Sequence, residues 1–171
     1  DRSCTGEIRE AGYILWPGNA SRRKRAELVI ELARCLPEYR FVLAMNPGHL
    51  ERRRTIAERA SGLRNVRFLD AVPPVQMERW FDSSWLVLNT ASVEGFPNTF
   101  LQAWLRSIPV VSAGVDPDGV ISKRGLGVVV RVKDGDVAAF ERLASEIRRI
   151  MTDEPLRQKL GQAGLNYVTA H

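Results

Sequence analysis

Seven consecutive residues in the middle of the chain decide the predicted fold: Glu94-Gly95-Phe96-Pro97-Asn98-Thr99-Phe100. The apolar run before them, residues 85–89, predicts a buried strand, and residues 98–106 predict a helix. Pro97 suits an early helical position, and Asn98 or Thr99 can cap the helix. A carboxylate on a glycine-containing turn precedes a helix whose first N–H groups carry the positive end of its dipole. This arrangement predicts a polar ligand site that accepts an anion.

Further apolar runs on both sides of this stretch predict the rest of a sheet. The six predicted strands are residues 12–16, 40–45, 66–69, 85–89, 110–112 and 127–131. Their residues are apolar throughout instead of alternating with polar ones, which is typical of strands buried on both faces. Because these strands alternate with helical segments, we expect an α/β fold. The specific expectation is a Rossmann-like, doubly wound parallel sheet of about six strands, with helices on both faces.

The predicted helices begin and end at recognisable signals. Pro17-Gly18-Asn19 is a turn signal that ends the first strand, and Ser21 can cap a helix that continues to about residue 36. Residues 50–61 and 75–81 predict two further helices. Asp136 and the Asp153-Glu154-Pro155 stretch begin a C-terminal pair of helices.

The length of 171 residues fits a single domain, which we place at residues 11–171, after a polar leader at residues 1–10 that resembles an interdomain linker. Cys4 and Cys35 lie far apart in sequence, so a reducing compartment is expected. The sequence has no apolar run long enough to span a bilayer and no secretory signal pattern. We therefore expect a soluble, cytoplasmic domain.

The basic character of the chain limits the classes of binding partner. The net charge of +5 and the pI near 9.7 fit nucleic acid, anionic lipid or phosphorylated small molecules. The one dense basic run is Arg22-Arg23-Lys24-Arg25, in the opening turn of a predicted helix, where cations oppose the helix dipole. For Arg22 and Arg23 a solvated surface explains the charge equally well, whereas Lys24 and Arg25 favour an anion site. A nucleic-acid groove needs a longer basic face with interleaved aromatic residues, so we expect no nucleic-acid partner.

Three loops at the carboxyl ends of predicted strands carry unusual residues. They are residues 17–25, 71–74 and 92–99. In an open parallel sheet, ligands bind beyond the carboxyl ends of the strands, at the point where strand order reverses. The convergence of the three loops at that edge is the argument for a functional site.

Other conspicuous residues have simpler explanations. Asp116-Pro117-Asp118-Gly119 is ordinary turn chemistry, and we expect no metal site there. His49 is expected to cap a helix or to lie on the surface. Trp16, Trp85 and Trp104 are predicted to be core residues, and Trp80 either packs or covers a base.

The order of these features resembles the C-terminal half of the GT-B retaining glycosyltransferases, most closely the large glycogen-synthase-like group, the group 1 glycosyl transferases. The resemblance covers about residues 12–169. It is carried by Gly18, the Lys24 region, Ser92-Val93-Glu94-Gly95-Phe96-Pro97-Asn98, Leu101-Gln102-Ala103 and Ile108-Pro109-Val110-Val111-Ser112.

The resemblance implies a hexosyltransferase whose C-terminal half binds the nucleotide-sugar donor, linked to UDP or GDP, and whose separate N-terminal half binds most of the acceptor. It assigns the catalytic roles to Lys24, at the donor diphosphate, and to Glu94, at hydroxyls of the transferred sugar. The other donor-binding residues that it implies are Gly18, Asn19, Arg25, Val72, Gly95, Phe96, Asn98, Thr99 and Gln102. Val72 lies in the loop expected to contact the base.

Further expectations concern cofactors and partners. No metal and no cofactor other than the donor substrate is expected. The expected partners are the nucleotide sugar and the N-terminal acceptor domain of the same enzyme, with peripheral membrane association of the full-length protein. The isolated fragment is expected to be inactive.

Two positions depart from the family pattern. Asn19 replaces a basic residue, so that Arg22, Arg23 or Arg25 would supply the missing charge. Gln102 replaces a glutamate that ordinarily holds the two ribose hydroxyls. Glutamine offers one acceptor and one donor group, so we expect weaker nucleotide binding.

Alternative functions come from other classes. One is a sugar-nucleotide epimerase with the same GT-B architecture, which would be expected to have more catalytic acids and histidines than the two histidines here. Another is a non-catalytic module that binds a nucleotide or phosphosugar. A basic nucleic-acid binder is the third, and salt-dependent retention of DNA or RNA would reveal it.

Overall fold

A six-stranded sheet with order β3-β2-β1-β4-β5-β6 forms the centre of the protein. The structure, a computed structural model, describes residues 12–46 and 48–170. All neighbouring strands pair in parallel. The strands are β1 (Tyr13–Asn19), β2 (Phe41–Asn46), β3 (Val66–Asp70), β4 (Ser84–Asn89), β5 (Val110–Ser112) and β6 (Gly127–Val129). The predicted doubly wound parallel sheet is confirmed, whereas the predicted leader and Cys4 lie outside the described residues.

Helices cover both faces of this sheet. They are α1 (Ala26–Cys35), α2 (Leu50–Arg59), α3 (Pro74–Asp82), α4 (Asn98–Trp104), α5 (Val120–Arg124), α6 (Val137–Thr152) and α7 (Glu154–Ala170). One core cluster takes buried residues from α1, α2, α6 and the first half of α7, and the other takes them from α3, α4 and α5, with the second half of α7 packed against it. Of the predicted C-terminal helical pair, α6 packs in the first cluster and α7 contacts both.

Successive residues of β1 supply the two cores in alternation. Ile14 and Trp16 belong to the cluster beneath α1 and α6, while Tyr13 and Leu15 belong to the cluster beneath α4. All four are at most 4% exposed. β1 is therefore apolar throughout because both of its faces are buried, as its sequence predicted.

The first strand continues through the turn signal that was predicted to end it. Pro17, Gly18 and Asn19 remain paired with β2. The N–H of Ile14 donates to Arg40 on the β2 side, so alternation places the backbone of Pro17 on the β4 side. Pairing with β4 has already ended there, at Leu15. Pro17 therefore removes no ladder hydrogen bond, and the prediction of a turn was wrong.

The helix after β1 begins later than predicted. Ser21 makes no capping hydrogen bond, and Arg22–Lys24 form a separate 3₁₀ turn. Arg25 then adopts the left-handed conformation, with φ of 47°, and α1 begins at Ala26. Arg22, Arg23 and Lys24 therefore precede α1, and Arg25 occupies its N-cap position.

Trp85 was predicted to lie in the core, but its side chain is 41% exposed. The guanidinium of Arg157, on α7, lies 4.2 Å from the centre of its ring. A Cβ atom on Gly12 would lie 2.9 Å from the same ring. Trp85 is the second residue of β4, near the amino edge of the sheet, where a long arginine side chain packs on its ring instead of the core. Trp16 and Trp104 are buried as predicted.

Two short elements follow β5 where only a turn was predicted. Pro117–Gly119 form a 3₁₀ turn and α5 follows at once. The carboxylate of Asp116 accepts hydrogen bonds from the N–H of Ile121 and the hydroxyl of Ser122. Asp116 thus stabilises the start of α5, a role that fits its prediction as turn chemistry. His49 is exposed at the start of α2 and makes no capping hydrogen bond.

Candidate functional site

The central strands β1 and β4 separate before either strand ends. Their pairing stops at Leu15 and Val87. β1 continues beside β2 to Asn19, and β4 continues beside β5 to Asn89. The strand order reverses between β1 and β4. The gap between them is therefore the switch-point crevice in which open α/β sheets bind ligands.

An ion pair spans this crevice. The ammonium of Lys24, in the loop after β1, donates a hydrogen bond to Oε1 of Glu94, in the loop after β4. Their side chains are 22% and 18% exposed. The two residues predicted to be catalytic are thus brought into direct contact. Both remain reachable from solvent, so each can also bind a ligand.

Asn89 orients the carboxylate of Glu94. Its Nδ2 donates to Oε2 of Glu94 at 2.7 Å, and its Oδ1 accepts from the N–H of Ala91 at 2.9 Å. The second bond fixes which end of the amide faces Glu94. Asn89 was not among the predicted site residues, although a polar side chain at the end of an apolar strand was an available signal. Ionised carboxylates have about four acceptor positions, so Glu94 keeps capacity to accept further hydrogen bonds.

Main-chain bonds hold the two loops together beneath this pair. The N–H of Ser92 donates to the carbonyl of Arg23 at 2.8 Å. The hydroxyl of Thr90 donates to the carbonyl of Lys24 and accepts from the indole N–H of Trp16 at 2.8 Å. The backbone that carries Lys24 is therefore anchored through the buried Thr90 to Trp16 of β1.

Arg25 is half-buried and directs its guanidinium toward backbone carbonyls. Nε donates to Thr90 at 2.6 Å, Nη2 to Ala113 at 2.9 Å and Nη1 to Val132. Burial lowers the pKa of Arg25, and the charge of Asp134 opposes that shift. Its expected role in donor binding stays a prediction.

Gly18 and Asn19 line the β1 side of the crevice. A Cβ atom on Gly18 would lie 2.7 Å from the ring of Trp16, so only glycine fits there without movement of the ring. Oδ1 of Asn19 accepts from the N–H of Ser21 at 3.0 Å. This bond shapes the turn that leads to the basic run.

The β4 side carries the remaining predicted residues. Gly95 and Phe96 are exposed, and the ring of Phe96 lies 6.1 Å from that of Trp104. Asn98 and Gln102 are exposed one turn apart on α4, and Thr99 is half-buried. Pro97 occupies the N-cap position and no side chain caps the helix, so the prediction of a cap by Asn98 or Thr99 was wrong. Proline takes this position because it needs no N–H partner.

The third predicted loop lies farther along the same edge. Val72 is half-buried after β3, and Ala71 beside it has φ of 46°. β2 lies between β3 and β1, so this loop is two strand spacings from the β1 loop, or roughly 10 Å. Arg53, on α2, pairs with Asp70 at the end of β3.

A groove of about 1020 Å³ lies beside the crevice, on the far side of Arg25. Cations and acids both line it, among them Arg52, Arg131, Glu31 and Asp134. Lys24 and Glu94 do not line it. The groove is therefore adjacent to the ion pair but distinct from it.

Within residues 12–46 and 48–170, no group of three or more His, Cys, Asp or Glu side chains could hold a metal ion. Over the same residues, no helix is long and apolar enough to cross a bilayer.

The family model of the Glycosyl transferases group 1 matches residues 5–167. The chain belongs to this glycosyltransferase family. The resemblance carried by the Glu94 motif is thereby confirmed. A comparison with the curated proteins found no match.

Solved structures of GT-B glycosyltransferases share the fold. WaaG, a glycosyltransferase involved in lipopolysaccharide biosynthesis, is similar with a TM-score of 0.76 and 21% identity over 96% of this chain and 44% of that chain. For sucrose-phosphate synthase from Thermosynechococcus elongatus the TM-score is 0.79, with 21% identity over 94% of this chain and 41% of that one.

A structure of matching size is the C-terminal domain of a glycosyl transferase group 1 protein, LpcC, from Francisella tularensis. It has a TM-score of 0.73 and 19% identity, over 94% of this chain and 87% of that one. The group 1 chain described here therefore spans less than half the length of WaaG and of the sucrose-phosphate synthase. Its size is that of a C-terminal GT-B domain.

Proposed function

We propose that this chain binds the nucleotide-sugar donor, linked to UDP or GDP, as the donor half of a retaining glycosyltransferase that transfers a hexose. The observation that carries the proposal is the contact between Lys24 and Glu94 at the point where β1 and β4 separate. Membership of the Glycosyl transferases group 1 family supports it.

Lys24 and Glu94 have complementary tasks in this proposal. Departure of the leaving group places negative charge on the diphosphate, and a fixed ammonium stabilises that charge without a metal. The carboxylate of Glu94 accepts hydrogen bonds from two sugar hydroxyls, and such charge-assisted bonds are roughly twice as strong as neutral ones. Asn89 assists by holding the carboxylate in one orientation.

The pairing of Lys24 with Glu94 has a use of its own. Each charge keeps the other in place, so neither side chain has to be ordered when a donor binds. A diphosphate competes with Glu94 for the ammonium, and the sugar hydroxyls then replace the ammonium at Glu94. The donor therefore exchanges one set of charge-assisted bonds for another.

The other predicted residues contact successive parts of the donor in this proposal. Gly18, Asn19, Gly95 and Phe96 offer backbone near the leaving group, and Asn98 and Thr99 lie close to the phosphates. Gln102 faces the ribose, and the loop of Val72 contacts the base. The exposure of Gln102 one helical turn after Asn98 supports this order, since both lie on one face of α4.

The reaction needs more than this chain. In the proposed mechanism the donor phosphate helps to deprotonate the acceptor, which is held by a separate N-terminal domain of the full-length enzyme. We propose that this domain alone is inactive, and that the full-length protein is cytoplasmic and associates peripherally with a membrane. The share of WaaG that the chain spans, 44%, supports a division into two domains.

A thermal-shift panel of nucleotides and nucleotide sugars tests the proposal. A ligand at about 100 times its Kd stabilises the folded state by about 2.7 kcal/mol. For a chain of this size, each kcal/mol raises Tm by roughly 2–4 °C. UDP or GDP and their sugar conjugates should therefore raise Tm by several degrees, and the Lys24→Ala variant should lose most of that shift.

Arg54→Ala is the matched control, because Arg54 is an exposed cation on α2 and lies outside the proposed site. It should keep the full shift. If no nucleotide or nucleotide sugar changes Tm at millimolar concentration, the proposed function is wrong.

A further inference from the structure

We infer that Arg25 is a positioning residue, which holds Lys24 and the β4 loop in place through backbone carbonyls instead of binding the donor phosphates. The inference deepens the proposed function and rests on it for its effect on ligand affinity. Its structural part concerns the protein without any ligand.

The backbone of Arg25 is the first observation. Its φ of 47° lies in the left-handed region, which costs a non-glycine residue roughly 1–2 kcal/mol. The residue directly follows Lys24 and directly precedes α1. Strained conformations of this kind persist where the surrounding structure determines them, and they cluster at functional sites.

Hydrogen bonds of the Arg25 side chain hold its backbone in this conformation. The three guanidinium nitrogens donate to carbonyls from three separate segments, directly after β4 (Thr90), directly after β5 (Ala113) and after β6 (Val132). A fourth carbonyl, that of Ala91, lies 3.5 Å from Nη2. Arginine has five N–H donors in a fixed planar arrangement, so these contacts occupy most of them. Few remain for a phosphate.

These bonds close a circuit around the ion pair. The carbonyl of Thr90 accepts from Arg25, and its hydroxyl donates to the carbonyl of Lys24. The preceding residue, Asn89, donates to Glu94, which accepts from Lys24. Loss of the guanidinium would release the β4 loop at Thr90 and thereby the geometry of both charges.

Hydrogen exchange on the free protein tests the structural part. Arg25→Gly is the informative variant, because glycine adopts the left-handed conformation readily, so the side chain is removed without new backbone strain. The N–H groups of Ser92 and Val132, which bond to Arg23 and Ala113, should exchange about tenfold faster through local opening. Arg25→Lys keeps the charge but not the planar guanidinium, and it should also make the hydrogen exchange of both N–H groups faster.

Arg54→Ala removes an exposed cation elsewhere and should leave exchange at both groups unchanged. Unchanged exchange in both Arg25 variants overturns the inference. This result does not depend on any ligand.

Calorimetry with the nucleotide diphosphate that stabilises the wild-type protein tests the functional part. Arg25→Gly should weaken binding about tenfold, similar to the loss of one charge-assisted hydrogen bond. In the Lys24→Ala background the same change should have little further effect, since Arg25 acts through Lys24. A direct phosphate contact predicts that the two losses add instead.

Additive losses, or an unchanged Kd in Arg25→Gly, overturn the positioning role. A wild-type protein that binds no nucleotide contradicts the proposed function, and the exchange measurement then decides the role of Arg25 by itself.

Discussion

Lys24 and Glu94 lie 70 residues apart in sequence and form a hydrogen-bonded ion pair across the gap between β1 and β4. Each residue belongs to a different loop at the carboxyl edge, and Asn89 holds the carboxylate from its other oxygen. The ion pair therefore depends on the relative position of the two loops.

The pair should contribute to stability in a coupled manner. Lys24→Met and Glu94→Gln each leave one charge without its partner in a partly buried place. We expect each to lower the free energy of unfolding by about 1–3 kcal/mol. The double variant should lose less than the sum of the two, which urea unfolding of all four proteins measures. Fully additive losses would show that the side chains do not interact in solution.

Gln102 is proposed to face the ribose of the nucleotide. Its exchange for glutamate, Gln102→Glu, should tighten binding of the preferred nucleotide by about 1 kcal/mol, because a carboxylate accepts from both ribose hydroxyls. Isothermal calorimetry measures the change. Gln158→Glu, next to Arg157 near the amino edge of the sheet, makes the same chemical change and should leave Kd unaltered. Equal or weaker binding by Gln102→Glu would mean that residue 102 does not face the ribose.

Gly18 should not tolerate a side chain. In Gly18→Ala the new methyl group would lie 2.7 Å from the buried ring of Trp16, which has to move. We expect a loss of about 1–3 kcal/mol in the free energy of unfolding and weaker nucleotide binding.

Gly114→Ala is the comparison for Gly18→Ala, since its Cβ would meet the nearest atom at an ordinary 3.5 Å. It should be close to neutral in urea unfolding. Similar losses in the two variants would show that the contact with Trp16 is unimportant.

Tyr13 should make the protein less stable in alkaline solution. Its hydroxyl donates to the carbonyl of Trp80 at 2.6 Å, and burial raises its pKa well above the ordinary 10.0. Below pH 10 the phenol is neutral in both states, so its contribution is fully present. Above that pH it ionises only in the unfolded chain, and stability falls by up to about 1.4 kcal/mol per pH unit.

Urea unfolding between about pH 8 and about pH 11 measures this slope for Tyr13. Burial also raises the pKa of Tyr39, which contributes in the same direction, so Tyr13→Phe is needed to isolate the effect. An equal slope in that variant would contradict the prediction.

The sheet was predictable from the sequence because its strands are buried on both faces and so contain few polar residues. The proximity of the two loops that carry Lys24 and Glu94 was predictable too, because parallel strands place their carboxyl ends at one edge of the sheet. Local signals were less reliable where distant contacts decide the conformation. Pro17 reads as a turn residue, yet it continues β1 because no strand pairs with it on that side.

The errors in the predicted start of α1 and in the predicted burial of Trp85 have a related origin. Nothing adjacent to Arg25 in sequence indicates a break between the 3₁₀ turn and α1, because the carbonyls that its guanidinium contacts lie 65 or more residues away. Trp85 lies on an apolar strand, but Arg157 covers it from a helix near the end of the chain. Long cationic side chains can thus replace the core as packing partners, which no local pattern predicts.

Trp16 is buried beneath Gly18, and its indole N–H bonds to the same Thr90 hydroxyl that donates to the backbone of Lys24. An indole in this position has an emission that depends on the polarity and hydrogen bonding around it. Any event that shifts the Lys24 loop changes that surrounding. The molecule therefore contains its own optical probe, and occupancy of the crevice can be followed by intrinsic fluorescence without a label.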